Sequence, residues 1–435
     1  NVAGEEVYDP SKGGAIQVES DHLTLEISAS TFIGNAAIKH GGAIYIKCAT
    51  SNCRVDNYPT LIVNDTTFTN NTVVDKRLNR GGAIYAESTN VQVQDSVFER
   101  NKANTAGAIG MIHGGLFSLR NKFVENTGKS TRGGSAICVE FMDDPVTITN
   151  STFLRNMFLD SGYGGAFSVT SSTCILSGCL FQENRAFGYL SNQKGATGAI
   201  KEYLSDFTLV DSIFVGNTGG GGDSNAGAVS LGGDQKKYIA RCQFVENEAW
   251  GSAGALFADG CPQLEIFNTT FSNNTARQRE NGDKITGGNG GGLVLTGLSV
   301  CTLNNVEFLS NIAEKDGGGI SSSASQILLQ KVTFKHNVAG NNGGGMNADA
   351  STVTFQPSRG SNVLDANVAK GHGGGIFLAN SRIEFFDLKT IITKNTAFKG
   401  GGMFTNGFVM FGHVRVYPEH NTATEIGPDL WVDDH

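Results

Sequence analysis

The side chains of this 435-residue chain that are able to do chemistry fall into four groups. Glu19, Lys47 and Glu87 sit at one place in three successive sequence units, and Glu140, Asp259 and Asp349 recur there farther along. Carboxylates, alone or with Lys and Arg, cleave glycosidic bonds when they stand a few ångströms apart, one as acid and the other as base or nucleophile. Alternating Glu, Lys and Glu on neighbouring units equally makes an ion-pair ladder, which accounts for the pattern without catalysis. The second group is eight cysteines. Cys48 and Cys53 flank the short excursion Ala49-Thr50-Ser51-Asn52 and are the disulfide candidate. Cys174, Cys179, Cys242 and Cys301 fall at inward repeat positions and read as small buried hydrophobes, while Cys138 and Cys261 have no evident partner. The third group is eight scattered histidines, with no His-Glu-x-x-His and no paired spacing, so no metal ligands are assigned. Glycosylation sequons form the fourth, at Asn64, Asn70, Asn150, Asn268 and Asn273. Their number is what chance produces in so asparagine-rich a chain, but Asn70 and Asn273 share one place, two residues after a phenylalanine.

These residues are positioned by a repeat. Phe-x-x-Asn recurs with a mean period of roughly 30 residues, in the range of solenoids and arrays. Its asparagines are Asn35, Asn71, Asn101, Asn126, Asn156, Asn184, Asn217, Asn247, Asn274, Asn311 and Asn337, with degenerate copies ending at Asn367, Asn395 and Asn421. A second motif alternates with it: Gly13-Gly14-Ala15-Ile16, Gly41-Gly42-Ala43-Ile44 and Gly81-Gly82-Ala83-Ile84, becoming Gly-Gly-Gly-apolar toward Ile320, Met346, Ile376 and Met403. Each leads into a short strand such as Ile44-Tyr45-Ile46. Seven and five residues before the phenylalanine stand apolar pairs, Leu25/Ile27, Leu61/Val63 and Val91/Val93 among them, whose spacing of two turns both toward one core.

Two or three short strands per unit, glycine corners and no helical period describe a single-domain, right-handed parallel β-helix of about fourteen coils, roughly 70 Å long. The phenylalanines stack as an internal column, and the asparagines form an amide ladder at a bend where asparagine tolerates the left-handed conformation. Propeller blades need four strands, more than these units hold, and no leucine-rich spacing survives. On the outer face just past the glycine corner, Tyr45 meets Tyr85, Phe257 meets Val294 and Phe377 meets Phe404, an exposed aromatic and apolar face for a partner or glycan unless a loop of the same chain covers it. No carboxylate occupies that column. Two long loops rich in basic residues are expected at Thr72 to Arg80 and Thr275 to Asn289.

The alternation of Gly-Gly-Ala-[Ile/Leu/Val] with Phe-x-x-Asn resembles the repeat pair of the chlamydial polymorphic outer membrane proteins, over nearly the whole span from Gly13 to Asn421. The resemblance implies a surface-displayed β-helix passenger with a role in adhesion. No C-terminal barrel follows the repeats here, so membrane anchoring is not carried over.

Composition excludes other classes. The net charge of −8 without basic blocks argues against nucleic acid, and no apolar run approaches the ~18 residues of a membrane helix. The 58 glycines follow no G-X-Y period, and no glycine run is followed by Lys-Ser/Thr, so neither collagen nor a nucleotide site is indicated. Gly219 to Asp223 lacks the spaced aspartates of a calcium turn. No signal peptide opens the chain; a secreted form has already lost one. Asn1-Val2-Ala3-Gly4 repeats Asn337-Val338-Ala339-Gly340, so the chain reads as starting and stopping mid-coil. The expectation is one continuous β-helix over 1–435, a section of a longer array or a subunit stacking end to end. Its expected role is a secreted or cell-surface rod without catalytic residues or cofactors, as filament subunit or adhesin. Its expected partners are itself, end to end or laterally, or an extracellular glycan or protein. A polysaccharide lyase or glycoside hydrolase is the competing reading.

Overall fold

Three short strands per repeat stack in register on those of the next repeat, building the faces of a parallel β-solenoid of about twelve turns. The structure, a computed structural model, describes residues 12–50, 53–74, 79–129, 133–159, 164–187, 196–220, 226–281, 284–386, 389–411 and 416–432. The first face begins at the glycine corner with Ile16–Glu19, Ile44–Lys47 and their successors; the second follows with Thr24–Ser28, Thr60–Asn64 and so on. The two merge into a 27-stranded sheet because Ile84–Gln94 and Ile109–Leu119 run through both without a break. The Phe-x-x-Asn strands, from Thr31–Ile33 to Val416–Glu419, form a third, 14-stranded sheet. Eleven short strands after the asparagine, with the added strand Lys284–Gly287, make a 12-stranded sheet. Fourteen rungs on one face therefore agree with the motif count, while the turns come to about twelve rather than fourteen.

Phenylalanine sets the core. Eleven rings from Phe32 to Phe334 stack with centroids 4.4 to 5.0 Å apart, so each ring rests on the next at the strand spacing. Leu364, Ile392 and Pro418 continue the column in register. A second, shorter stack opens on the second face, where Phe355 lies 4.7 Å from Phe385.

The asparagine ladder is continuous from Asn35 to Asn421. At Asn217, the backbone N–H donates to Asn247 Oδ1 (3.1 Å), while Nδ2 donates to Asn247 Oδ1 (2.9 Å) and to the Phe181 carbonyl one coil back (2.9 Å). This saturates polar groups that the bend would otherwise leave orphaned inside the solenoid. The left-handed residue is not the asparagine, as the sequence pattern suggested, but the residue before it: Arg100 at φ 53°, Glu125 at 53° and His336 at 55°. The asparagine side chain secures the turn from outside that strained position. At the double glycine, Gly82 is pressed so closely on the next coil that an added Cβ would lie 2.7 Å from the Lys102 nitrogen and against the Gly107 carbonyl.

Candidate functional site

The outward column of the first face is where stacked aromatics were expected in the open. The pairs form, with Tyr45 and Tyr85 at 5.8 Å and Phe377 and Phe404 at 5.3 Å, and Phe257 and Val294 share one cluster. They are not an exposed face. Tyr45 is 2% and Tyr85 3% exposed, Phe257, Val294 and Phe404 are likewise buried, and only Phe377 is half-buried. The cause is the corner itself. The chain reverses at the double glycine, which lays the preceding residue back over the column: His40 stacks on Tyr85 at 4.6 Å, His372 on Phe404 at 4.7 Å, and Ala226 and Ala253 pack on Phe257 and Val294.

At the N-terminal end this corner gathers a set of ionisable groups. Lys12 holds Glu19 at 3.5 Å and lies over the Tyr45 ring, 4.8 Å from its centroid; Lys47 holds Glu87 at 2.8 Å. Arg80 reaches two coils along to Glu140 at 2.8 Å. Its path crosses Gly110, where a Cβ would stand 3.1 Å from Arg80 Cβ, so the missing side chain opens the route. Burial opposes ionisation of Glu87, but the Lys47 ammonium and the Tyr85 hydroxyl outweigh it and lower its pKa. Burial, with Arg80 and Lys12 nearby, brings the His40 imidazole down to about 4, leaving it neutral near pH 7. Gln17 Oε1, His40 Nδ1 and Arg80 Nη1 are buried without a hydrogen bond. Every carboxylate of this corner is thus held by a cation, the ladder expected for Glu19, Lys47 and Glu87, except that Glu19 pairs with Lys12.

Cys48 and Cys53 are joined as the disulfide, with Asp21 Oδ1 accepting the N–H groups of Ala49 (3.1 Å) and Thr50 (3.3 Å) in the same turn. Among the described residues these three are the one converging group of metal-binding types, and with both sulfurs bonded to each other a single carboxylate remains. The other six cysteines are buried free thiols, and burial drives Cys179 to about 11 and Cys138, Cys242 and Cys261 to about 12, which makes them poor nucleophiles.

All five sequon asparagines are exposed, and Asn70, Asn150, Asn268 and Asn273 occupy left-handed turn positions at φ 56°, 49°, 48° and 55°. Of the two expected basic loops, residues 75–78 of the first lie outside the described residues. Much of the second is a β-hairpin, Thr275–Asn281 against Lys284–Gly287. Its Arg277 is engaged by Glu248 (2.7 Å) and Glu314 (3.4 Å) and lies over Trp250.

The sequence reading missed one pair. Glu202 and Lys237 occupy inward positions and are wholly buried, Nζ 2.8 Å from Oε1. Lys237 also donates to the Ser205 carbonyl (2.6 Å), and the N–H groups of Ser205 (2.7 Å) and Gly232 (3.2 Å) donate to the carboxylate. The available signal was two charged residues in columns otherwise uncharged: Glu202 aligns with Val169, and Lys237 lies between Phe207 and Leu264.

Ladder, ring stack and glycine corner define a repeat-built parallel β-helix. Residues 29–47, 65–87 and 268–296 match the Chlamydia polymorphic membrane protein repeat, so the chain carries that repeat, and each stretch spans a Phe-x-x-Asn strand and the glycine corner after it. The chain is 27% identical over 294 residues to metabotropic glutamate receptor-like protein R of Dictyostelium discoideum, covering 67% of this chain and 16% of the relative. It is 29% identical over 238 residues to the probable autotransporter YfaL of Escherichia coli (strain K12), covering 50% of this chain and 17% of the relative. The chain therefore spans about a sixth of the length of these curated relatives. The crystal structure of the periplasmic alginate epimerase AlgG aligns over 87% of this chain and 77% of its own at 6% identity, with a TM-score of 0.35, a likeness that carries no argument about function. No helix among the described residues is long and apolar enough to cross a membrane.

Proposed function

We propose that this chain is the rod section of an extracellular or cell-surface protein, structural or adhesive rather than catalytic, and one section of a longer continuous solenoid. The observation that carries the reading is the unbroken asparagine ladder from Asn35 to Asn421, which repeats one bend and one core through every coil and so makes a stiff spacer with long lateral faces. The commitment of Glu19, Glu87 and Glu140 to cations supports the non-catalytic part, because a carboxylate clamped by a cation is poorly placed to take or give a proton. The Cys48–Cys53 disulfide favours an oxidising compartment, and the repeat shared with polymorphic membrane proteins favours the surface.

The test pairs imaging with chemistry. Negative-stain images of the purified chain are expected to show straight rods about 60 Å long. Incubation with anionic and neutral polysaccharides is expected to leave the reducing-end count unchanged. Turnover of any of them, lost on Glu140→Gln or Glu87→Gln, would replace the rod by the carbohydrate-active enzyme.

A further inference from the structure

The second face is poor in charge. Two of its outward columns run side by side through ten consecutive coils, from Ile62 and Asn64 to Leu328 and Gln330, and contain one charged side chain, Glu265. Charged residues make up 17% of the chain, and nineteen of these twenty positions reach solvent, Ala240 alone being buried, so the columns are depleted of charge where surface usually concentrates it. Within one column the register reads Phe117, Thr147, Ile175, Thr208, Tyr238 on successive coils. The three bulky members are 42%, 39% and 37% exposed. Along one edge of the face stand bidentate ion pairs, Arg120 with Asp95 (2.7 and 2.8 Å) and Arg241 with Asp211 (2.6 and 2.8 Å). A centre depleted of charge with a charged rim is the anatomy of a protein interface.

We propose that this face binds the same face of a second copy of the chain, pairing two solenoids side by side. The proposal rests on the rod reading and names the surface that it uses. Three observations favour a second copy over other occupants. Large residues alternate with threonine, so a two-fold axis that passes between two coils and runs the columns antiparallel sets bulky groups of one copy against threonines of the other, as in sheet-on-sheet packing. The area suffices: two outward columns take about four residues of strand, ~13 Å, and with ten coils, ~48 Å, give about 600 Å² per partner, the lower end of the range for specific interfaces. The depletion of charge also lets two molecules of net charge −8 meet without like charges opposed at the contact.

Sedimentation velocity of the intact chain across 1 to 100 µM tests the proposal, with Ile175→Glu and Tyr238→Glu as interface variants. Ile33→Glu, an exposed site on the third face, is the control. Circular dichroism melts establish that each variant is folded. The parent and the control are expected to dimerise, and each interface variant to weaken dimerisation at least tenfold. A parent that stays monomeric at 100 µM, or interface variants that dimerise like the parent, overturns the proposal. A monomer that captures a soluble glycan, and loses it on Tyr238→Glu, overturns it in favour of a carbohydrate platform. Monomeric straight rods in the microscope would leave the rod reading standing while this proposal fails, and polysaccharide cleavage would sink the rod reading whatever the sedimentation.

Discussion

Replacing Lys237 by methionine isolates the one ion pair sealed inside the solenoid among the described residues. In the parent, the Glu202 carboxylate receives Lys237 Nζ at 2.8 Å and two backbone N–H groups at 2.7 and 3.2 Å, with no access to water. Burial already pushes the Glu202 carboxyl upward against the pull of Lys237. Losing the ammonium leaves an uncompensated buried charge or forces the carboxyl to take a proton, and the Ser205 carbonyl loses its donor as well. Breaking a buried pair from one side costs about 3–5 kcal/mol. Removing both charges in the double variant Glu202→Leu, Lys237→Leu is expected to stay within about 1 kcal/mol of the parent, because leucine suits columns shared with Val169, Phe207 and Leu264. Solenoids open locally, so the assay is native-state hydrogen exchange read at strands Ile200–Tyr203 and Lys237–Ala240 rather than a global melt. Protection there should fall by about two to four orders of magnitude in the single variant and recover in the double. A single variant within about 0.5 kcal/mol of the parent, or a double variant as damaged as the single, would refute the sealed-pair reasoning.

Three further predictions follow from the ladder and the corners. Asn217→Ala removes two accepted and two donated hydrogen bonds in a buried bend and is expected to cost about 3–6 kcal/mol locally, seen as lost exchange protection in the coils of Phe181 and Phe214; a cost below about 1 kcal/mol would show the ladder to be ornamental. Gly82→Ala forces a methyl against the neighbouring coil's backbone and is expected to cost about 2 kcal/mol or more, whereas Gly34→Ala, with nothing within 4 Å of its Cβ, meets only the strain of its positive φ; equal melting losses for the two would contradict the close-approach argument. His40 has a folded pKa of about 4 against an ordinary 6.5. Between those values the unfolded chain holds a proton that the folded chain does not, so the stabilisation is complete above 6.5 and is lost as the pH falls toward 4. Exchange protection of the first coils should therefore drop across that window, and His40→Gln should flatten the drop.

What the sequence determined by itself was everything that repeats. Phe-x-x-Asn and the double glycine are short-range patterns recurring in every coil, so their period, the parallel stacking, the ring column, the amide ladder and the short-range disulfide between Cys48 and Cys53 could all be read before any coordinate. What only the tertiary structure decided depends on how one coil folds back on itself or meets the next. Tyr45 and Tyr85 look exposed by strand alternation, yet the corner swings His40 onto them, a contact set by backbone direction at Gly41 rather than by residue type. The left-handed turn residue precedes the asparagine because Nδ2 must reach the carbonyl of the previous coil's phenylalanine, a distance that no spacing reports. Glu202 and Lys237 lie 35 residues apart and become partners only when adjacent coils bring both inside the same core. Local sequence specifies the coil; the pairing of unlike residues across coils is a property of the stack, because it is there that desolvation makes an unmatched charge costly.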